Sequence, residues 1–498
     1  MLPEYIQRSL RRITGTRQAT IDTIEPGAIA VSPRRPIDRF DVGSITEVLD
    51  LATKIGAVLL DSGTAARDTQ TQVEFVASAY GLDDVDVDVT YNKIMASARR
   101  GATLPPITTM EQVSHRSLDF TRLADVDRLI RHIRNSGITP ATAHQMVDKI
   151  IAAPHPYPHW VATIAWGVMA SGVSLLLGGR LLGAVLAFLT TITIVSVNRR
   201  VNRLGVPVFF QQVIGGFIAV VPAAVVSELS QTLDIELVPS RVIAAGIVVL
   251  LSGLPLVGSL QDAITGAPIT GVARFFELLL MTAGIIAGVG TAIRLLEGAG
   301  IYLPALTTLT RFGAVDLPVQ ITGGAIASAA YALASYAKRR AIPVAFLSGA
   351  IGTSIALGVL LLAPVGPVIA NGAAAVVVGL VGGLLARRAL TPPQVVAIAG
   401  ITPLLPGLAV YRGLYGLLSE QTLSGITWMA SALGTGCALA AGVTLGEVVA
   451  RMLRRPSFLP EGRPFARGGG DRRRAPGRAK RRGIPPGRAK RRGIPPGR

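Results

Sequence analysis

The chain has 498 residues, of which 50% are hydrophobic and only 16% are charged. A soluble domain normally carries about 25% charged residues, so this composition excludes an ordinary soluble protein and a disordered one. The formal net charge of +19 suggests a nucleic-acid partner, but residues 467–498 hold 13 Lys and Arg against one acid, Asp471. Because +12 of the +19 lies in this segment, we predict no nucleic-acid partner for the protein.

The first part of the chain is polar. Residues 1–40 contain arginines and prolines but no apolar core of about 7–15 residues, so they predict a disordered leader without a signal peptide. Residues 41–157 predict an α+β domain that stays in the cytoplasm.

Within this region, helical apolar spacing runs over 45–60 and is interrupted at Ser62-Gly63-Thr64. We therefore predict that Thr64 caps a second helix, which ends near Tyr80. The alternating, β-branched run over 85–90 predicts a strand. Helical patterns return over 123–134 and 141–152.

Residues 158–452 are strongly apolar, and a membrane helix needs roughly 17–25 such residues. They predict a polytopic α-helical membrane protein of about ten transmembrane helices, in two five-helix halves over 158–300 and 301–452. The predicted spans are about 159–178, 181–198, 206–227, 241–260, 272–294, 317–337, 341–363, 365–386, 394–416 and 424–450.

Basic residues cluster in the loops after the second, sixth, eighth and tenth predicted spans. The clusters are Arg199, Arg200 and Arg203; Lys338, Arg339 and Arg340; Arg387 and Arg388; and Arg451, Arg454 and Arg455. Lys and Arg are enriched in cytoplasmic loops, so this bias predicts a multi-pass protein of the plasma membrane with both termini in the cytoplasm.

The two predicted halves resemble each other at two places, one of which is the Gly215-Gly216 pair of the third span and the Gly382-Gly383 pair of the eighth. The segments 252–258 and 399–407 are both interrupted by Pro and Gly, and each lies in the fourth span of its half. Five spans per half would invert the second copy relative to the first. Inverted repeats with broken helices are typical of secondary transporters.

The densest polar cluster within the apolar region is 259–268, which Arg274 follows. A carboxylate at membrane depth is costly and usually functional, so we predict that Asp262 binds substrate or carries the coupling proton. The alternative is a cytoplasmic loop in which Asp262 and Arg274 lie in water. The full predicted site comprises Asp262, Gln261, Thr265, Gly266, Gln212, Pro255, Pro403 and Arg274, with Asn371, Tyr411 and Arg412 as weaker candidates.

No catalytic residue, cofactor or metal site is predicted. The five histidines lack the spacing of metal ligands, and no Gly-rich nucleotide-binding motif is present. Energy for transport would then come from an ion gradient or a partner. Residues 453–498 form a predicted disordered basic tail with a ten-residue tandem repeat at 477–486 and 487–496, suited to anionic lipid.

Four long motifs resemble the bacterial threonine/serine exporter family (ThrE type). They are LLDSGTAARDTQTQVEFVASAYGL at 59–82, FFQQVIGGFIA at 209–219, QDAITGAPITGVARFFEL at 261–278 and IAGITPLLPGLAVYRG at 398–413. The resemblance covers roughly residues 45–455. It implies a secondary exporter that expels threonine and serine with the proton motive force. It assigns no established site residues of the family to positions in this chain.

Two alternatives stay open. One is export of another small metabolite, such as a dicarboxylate. The other is a membrane-anchored hydrolase that uses Asp61 or Ser62 as its nucleophile, although no base or oxyanion partner is evident in the sequence. Substrate range and oligomeric state are also open, and a homo-oligomer is one of the options.

Overall fold

The computed structural model describes residues 37–38, 41–101, 104–113, 119–232, 238–251, 253–301, 316–389, 392–418 and 421–454. The predicted leader and basic tail lie almost entirely outside this range. The first helix, α1 (Val42–Asp61), begins where the Asp41 carboxylate accepts hydrogen bonds from the backbone N–H groups of Gly43 and Ser44, both at 3.1 Å. Its apolar face is buried, which confirms the helix predicted over 45–60.

No neighbouring side chain in the sequence caps the start of helix α2 (Ala66–Ala79). Ala65 occupies the N-cap position and makes no side-chain hydrogen bond. The buried Thr64 hydroxyl has no hydrogen-bond partner among the described residues. The prediction of the helix is therefore confirmed, but the prediction that Thr64 caps it is wrong, because the cap is supplied from a distant part of the chain.

A small antiparallel sheet follows, in the order β1 (Val85–Thr90), β2 (Lys93–Ala98) and β3 (Ile107–Gln112). The strand predicted over 85–90 is confirmed. Val85 pairs with Ala98, and Lys93 pairs with Gln112. The inward side chains of β1 and β2 are buried beside α1 and α2, whereas β3 is largely exposed.

Two helices complete this region and confirm the helical patterns in the sequence. The carboxylate of Asp119 caps α3 (Phe120–Ser136), and the hydroxyl of Thr139 caps α4 (Pro140–Ala152). Both caps satisfy backbone N–H groups that lack a partner in the first helical turn.

The rest of the described chain is helical. In order, the helices are α5 His159–Leu176, α6 Leu181–Arg203, α7 Val208–Thr232, α8 Pro239–Leu251, α9 Gly253–Thr265, α10 Pro268–Gly298, α11 Leu317–Ala334, α12 Ala341–Leu362, α13 Pro367–Ala389, α14 Pro393–Ile401, α15 Gly407–Leu418 and α16 Thr422–Arg454. Among the described residues, 8 helices are long and apolar enough to cross a membrane, and two bent helix pairs raise the number to 10. This agrees with about ten predicted spans.

The two bent pairs lie where the sequence is interrupted by Pro and Gly. Helices α8 and α9 meet at 47°, and α14 and α15 meet at 41° across a short 3-10 turn, Thr402–Leu404. Pro403 and Pro406 have no backbone N–H to donate, which disfavours a continuous helix through this segment.

Glycines bring several helices into close contact. On α5 and α11, a Cβ at Gly172 would lie 2.6 Å from the carbonyl oxygen of Gly323, and a Cβ at Gly323 would lie 2.7 Å from that of Gly172. Small residues of this kind let membrane helices approach closely enough for van der Waals contact between backbones. The contact is reciprocal, as at a two-fold axis.

A second kind of contact occurs twice, between α7 and α10 and between α13 and α16. A Cβ at Gly216 would lie 2.6 Å from the Ile285 carbonyl oxygen, and a Cβ at Gly379 would lie 2.5 Å from that of Val443. Three residues further along α10 and α16, Gly288 and Gly446 pack in turn against the backbone of the partner helix. The two helix pairs therefore interlock with the same spacing.

We expect Gly288→Ala to lower the unfolding midpoint, because the added methyl group would overlap the carbonyl oxygen of Val213 and force α7 away from α10. Overpacking of this kind costs about 1–3 kcal/mol. Thermal unfolding in detergent measures the effect. The matched control is Gly358→Ala on α12, where a Cβ would meet nothing within 4 Å. Equal midpoints for both variants would contradict the proposed packing.

Candidate functional site

Asp262 lies on α9 and is fully buried, with 0% of its surface exposed. One carboxylate oxygen accepts a hydrogen bond from the backbone N–H of Ala66 at 2.7 Å, and the other pairs with the guanidinium of Arg274 on α10. Arg274 is itself only 5% exposed. The sequence-based alternative that both charges lie in water is therefore wrong.

The bond to Ala66 makes Asp262 the cap of helix α2 across 196 positions of sequence. The N-terminus of a helix carries unpaired N–H groups and a partial positive charge, and both favour a carboxylate there. Asp262 thus holds together three elements: α2, α9 and α10. Its negative charge is shared between Arg274 and the end of α2.

Helix α2 also reaches the second bent pair. The side-chain amide of Gln394, at the start of α14, donates a hydrogen bond to the Asp68 carboxylate at 3.3 Å. Burial raises the pKa of Asp68 above its usual range, while the positive charge of Arg451 and the Gln394 hydrogen bond act in the opposite direction. One short helix therefore touches both bent pairs, through α9 and through α14.

The β1–β2 turn makes a further contact with α10. The hydroxyl of Thr270 donates to the carbonyl oxygen of Val89 at 3.2 Å and accepts from the backbone N–H of Tyr91 at 3.0 Å. The Tyr91 hydroxyl donates to Glu277 at 3.2 Å. The sheet and α2 are consequently anchored to the same end of the long helices.

Of the other predicted site residues, Gln261, Thr265 and Gly266 lie beside Asp262 in the chain, whereas Gln212 and Pro403 lie on other elements. Thr265 donates its hydroxyl to the Gln261 carbonyl oxygen of its own helix at 2.8 Å, and Gly266 ends α9 with a φ of 102°. Gln212 packs against α10 near Gly284, and its buried side-chain oxygen has no partner among the described residues. Pro255 lies in the first turn of α9.

Pro403 lies in a different place, on the wall of a cavity of about 480 Å³ at the break between α14 and α15. The cavity is mostly apolar and takes residues from α5, α8, α12, α13, α15 and α16. The polar or charged side chains on its wall are Thr353, Asn371, Arg412, Trp428, Ser431 and Thr435. Thr353 and Trp428 were not expected from the sequence, since neither stands out within an apolar span.

Arg412 is the charged residue on this wall. Its guanidinium lies over the Trp428 ring, 4.9 Å from the ring centroid. No carboxylate forms an ion pair with Arg412 among the residues that the structure describes. The fully buried Thr353 hydroxyl likewise has no hydrogen-bond partner there.

The cavity and Asp262 lie toward opposite ends of the helices. Helix α12 starts just after Lys338, which pairs with Asp125 of α3 at 2.5 Å, and ends at Leu362, near the cavity residue Pro367. A helix of 22 residues spans about 33 Å. The region that contains α2 and α3 therefore covers one end of the bundle, and the cavity lies toward the other.

Two further predictions concern chemistry. Within the described ranges, no group of three or more His, Cys, Asp or Glu residues is placed to hold a metal ion. Asp61 is the last residue of α1, and Ser62 follows it with a buried hydroxyl. The Ser62 hydroxyl has no hydrogen-bond partner among the described residues, so no base activates it there.

The apolar helices, the two bent pairs and the cavity at a helix break define a multi-pass membrane protein of the transporter class. A family model described as "Putative threonine/serine exporter" matches residues 50–296, and one described as "Threonine/Serine exporter, ThrE" matches residues 320–449. The chain belongs to the threonine/serine exporter family, which confirms the resemblance found in its motifs.

Individual relatives agree with this assignment. The chain is 44% identical over 455 residues to a threonine/serine exporter of Corynebacterium glutamicum, covering 91% of this chain and 93% of that protein. It is 39% identical over 453 residues to a probable threonine/serine exporter of Mycobacterium tuberculosis, covering 90% and 84%. A probable succinate transporter subunit of Escherichia coli is 20% identical over 246 residues, which are 49% of this chain and 93% of that protein. No solved structure matches the chain.

Removing either partner of the Asp262–Arg274 pair should destabilise the protein strongly, because the remaining charge is left buried without its partner. Asp262→Ala and Arg274→Met should each cost about 3–5 kcal/mol. The double variant should cost clearly less than the sum, as measured by thermal unfolding. Asp262→Ala should also speed amide hydrogen exchange at the start of α2.

The matched control is Asp148→Ala, which breaks the exposed Lys54–Asp148 pair. It should lower the unfolding midpoint clearly less than either variant of the buried pair does, because an exposed ion pair is screened by water. Additive losses for Asp262→Ala and Arg274→Met would show that the two side chains do not form a coupled pair.

Asp68 should make stability depend on pH. Since the pKa of Asp68 is raised by burial, the folded protein binds this proton more tightly than the unfolded chain does. Stability should therefore fall as the pH rises from the ordinary carboxyl pKa of 3.8 through the raised value, and Asp68→Asn should remove this loss. Unfolding midpoints across that pH range measure the difference.

The control for this prediction is Asp148→Asn. The hydrogen bond from Lys54 lowers the pKa of Asp148, so its contribution has the opposite sign and is lost as the pH falls. If the stability of Asp68→Asn depended on pH as the stability of the wild type does, Asp68 would not be the cause of the predicted loss.

Proposed function

We propose that this protein exports threonine and serine from the cytoplasm across the bacterial plasma membrane and that the proton motive force drives the export. The family and the relatives support the substrates. The observation that carries the proposal is the cavity of about 480 Å³ at the α14–α15 break. Small-molecule sites usually have about 300–1,000 Å³, are mostly apolar and hold a few polar groups, as this one does.

The proposal includes two related halves of five spans, 158–300 and 301–452, in inverted orientation. The matching contacts of α7 with α10 and of α13 with α16 support it, since Gly216 and Gly379 occupy equivalent positions. The reciprocal contact of Gly172 with Gly323 fits a two-fold axis between the halves. Transporters of this design place their substrate at broken helices.

Residues 41–157 are proposed to form the cytoplasmic domain, with both termini on the cytoplasmic side. The basic loops support this orientation. Helix α2 then covers the cytoplasmic end of both bent pairs through Asp262 and Gln394. The basic tail is suited to anionic lipid, and the number of subunits is open.

Asp262 is the proposed coupling group. Protonation would remove the negative charge that pairs with Arg274 and caps α2. The contact that holds α2 against α9 would then weaken and open the cytoplasmic end. The coupling role in this proposal therefore rests on an ion pair at an interface, with the amino acid bound elsewhere.

Export is tested with cells preloaded with labelled threonine. Cells that contain the protein should lose threonine faster than cells without it, and a protonophore should abolish the difference. Equal efflux in the presence and absence of the protein would refute the proposal. If the protonophore left the efflux unchanged, the proton motive force would not be the energy source for export.

The coupling group is tested with Asp262→Asn in the same assay at several pH values. Export by this variant should lose the pH dependence of the wild type. Asp148→Asn, which changes an exposed carboxylate far from α9, is the control and should keep the wild-type profile. A wild-type profile in Asp262→Asn would exclude Asp262 from coupling.

A second candidate substrate class is a small dicarboxylate. It is favoured by the similarity of 246 residues of the chain to a protein named as a probable succinate transporter subunit, at 20% identity. Competition in vesicles decides between the two. If succinate inhibited threonine uptake as strongly as serine does, the second candidate would be preferred.

A further inference from the structure

The cavity at the α14–α15 break contains one charged side chain, Arg412, which forms no ion pair among the described residues. The geometry points to Arg412 as the group that binds the substrate α-carboxylate. This inference rests on the proposed export of amino acids and assigns their carboxylate to one residue.

The argument for Arg412 is electrostatic. A charged side chain within membrane helices is costly and normally pairs with an opposite charge or lines a cavity. Arg412 lines the cavity, stacks on Trp428 and forms no ion pair within the described residues. Stacking on an aromatic ring offsets only part of the cost of removing the charge from water. A bound carboxylate supplies the missing anion and fits the planar fork of a guanidinium.

The break itself offers a place for the substrate ammonium. Pro403 and Pro406 cannot donate an N–H group to the carbonyl oxygens of Ala399 and Thr402, four residues earlier in each case. The Thr402 carbonyl retains one longer bond, from the Leu405 N–H at 3.3 Å. The end of α14 also carries the partial negative charge of a helix C-terminus. An ammonium at this end and a carboxylate at Arg412 would place a zwitterion across the cavity.

The competing interpretation is that Arg412 only supports packing. Conservative variants separate the two interpretations. Arg412→Lys keeps the charge, and Arg412→Gln removes it. Arg294→Gln is the control for arginine, since Arg294 lies on the surface and pairs with Glu297.

In proteoliposomes, Arg412→Gln should raise the threonine KM by about 30-fold or more, as expected when one partner of a buried charge pair is removed. Arg412→Lys should recover part of the affinity, and Arg294→Gln should match the wild type. Threonine amide, which lacks the carboxylate, should not compete with threonine in the wild type. A wild-type KM in Arg412→Gln, or strong competition by threonine amide, would overturn the role of Arg412.

Binding is measured separately from transport. The chain has 3 tryptophans, so Trp160→Phe with Trp166→Phe leaves Trp428 as the only one, beside Arg412. Threonine and serine should change its fluorescence emission, and threonine amide should not. If threonine changed the Trp428 emission but the protein exported no threonine, the proposed function would be refuted and this inference would stand. Export without any response of Trp428, or a full response in Arg412→Gln, would overturn this inference alone.

Discussion

The buried carboxylate of Asp262 is the constraint on which the arrangement depends. A charge removed from water must be balanced locally, and here Arg274 and the first N–H of α2 balance it. Each partner comes from a different element, so this one carboxylate joins α9, α10 and α2. The contacts of the β1–β2 turn with Thr270 and Glu277 lie on the same helix, α10.

Away from this charge, close packing of small residues determines how the helices fit. Between apolar helices in lipid, burial of apolar surface provides little driving force, so close backbone contact must provide stability. Gly172 and Gly323 meet reciprocally, and Gly216 and Gly379 repeat one contact on two helix pairs. These close contacts leave little room for larger side chains at the four glycine positions. The cavity, in contrast, lies at the helix break that contains Pro403 and Pro406.

Helix α14 connects the contact with α2 to the cavity. Its first turn receives the contact from Asp68 of α2 through Gln394, and its last residue, Ile401, lies two positions before the cavity residue Pro403. Nine helical residues span only about 13 Å. Under the proposed function, a displacement of α2 at one end would reach the cavity wall through this short helix.

The sequence alone determined the apolar spans, the strand over 85–90 and the unusual character of Asp262, because hydropathy, strand alternation and an acid among apolar residues are local properties. It missed β2 and β3, whose residues become strands through pairing with β1. It also placed the cap of α2 at Thr64, since a partner 196 positions away cannot be read from neighbouring residues. Only the tertiary structure separated Asp262 from the cavity and brought Arg412, Trp428 and Thr353 to one wall, because a cavity is formed by packing between distant helices.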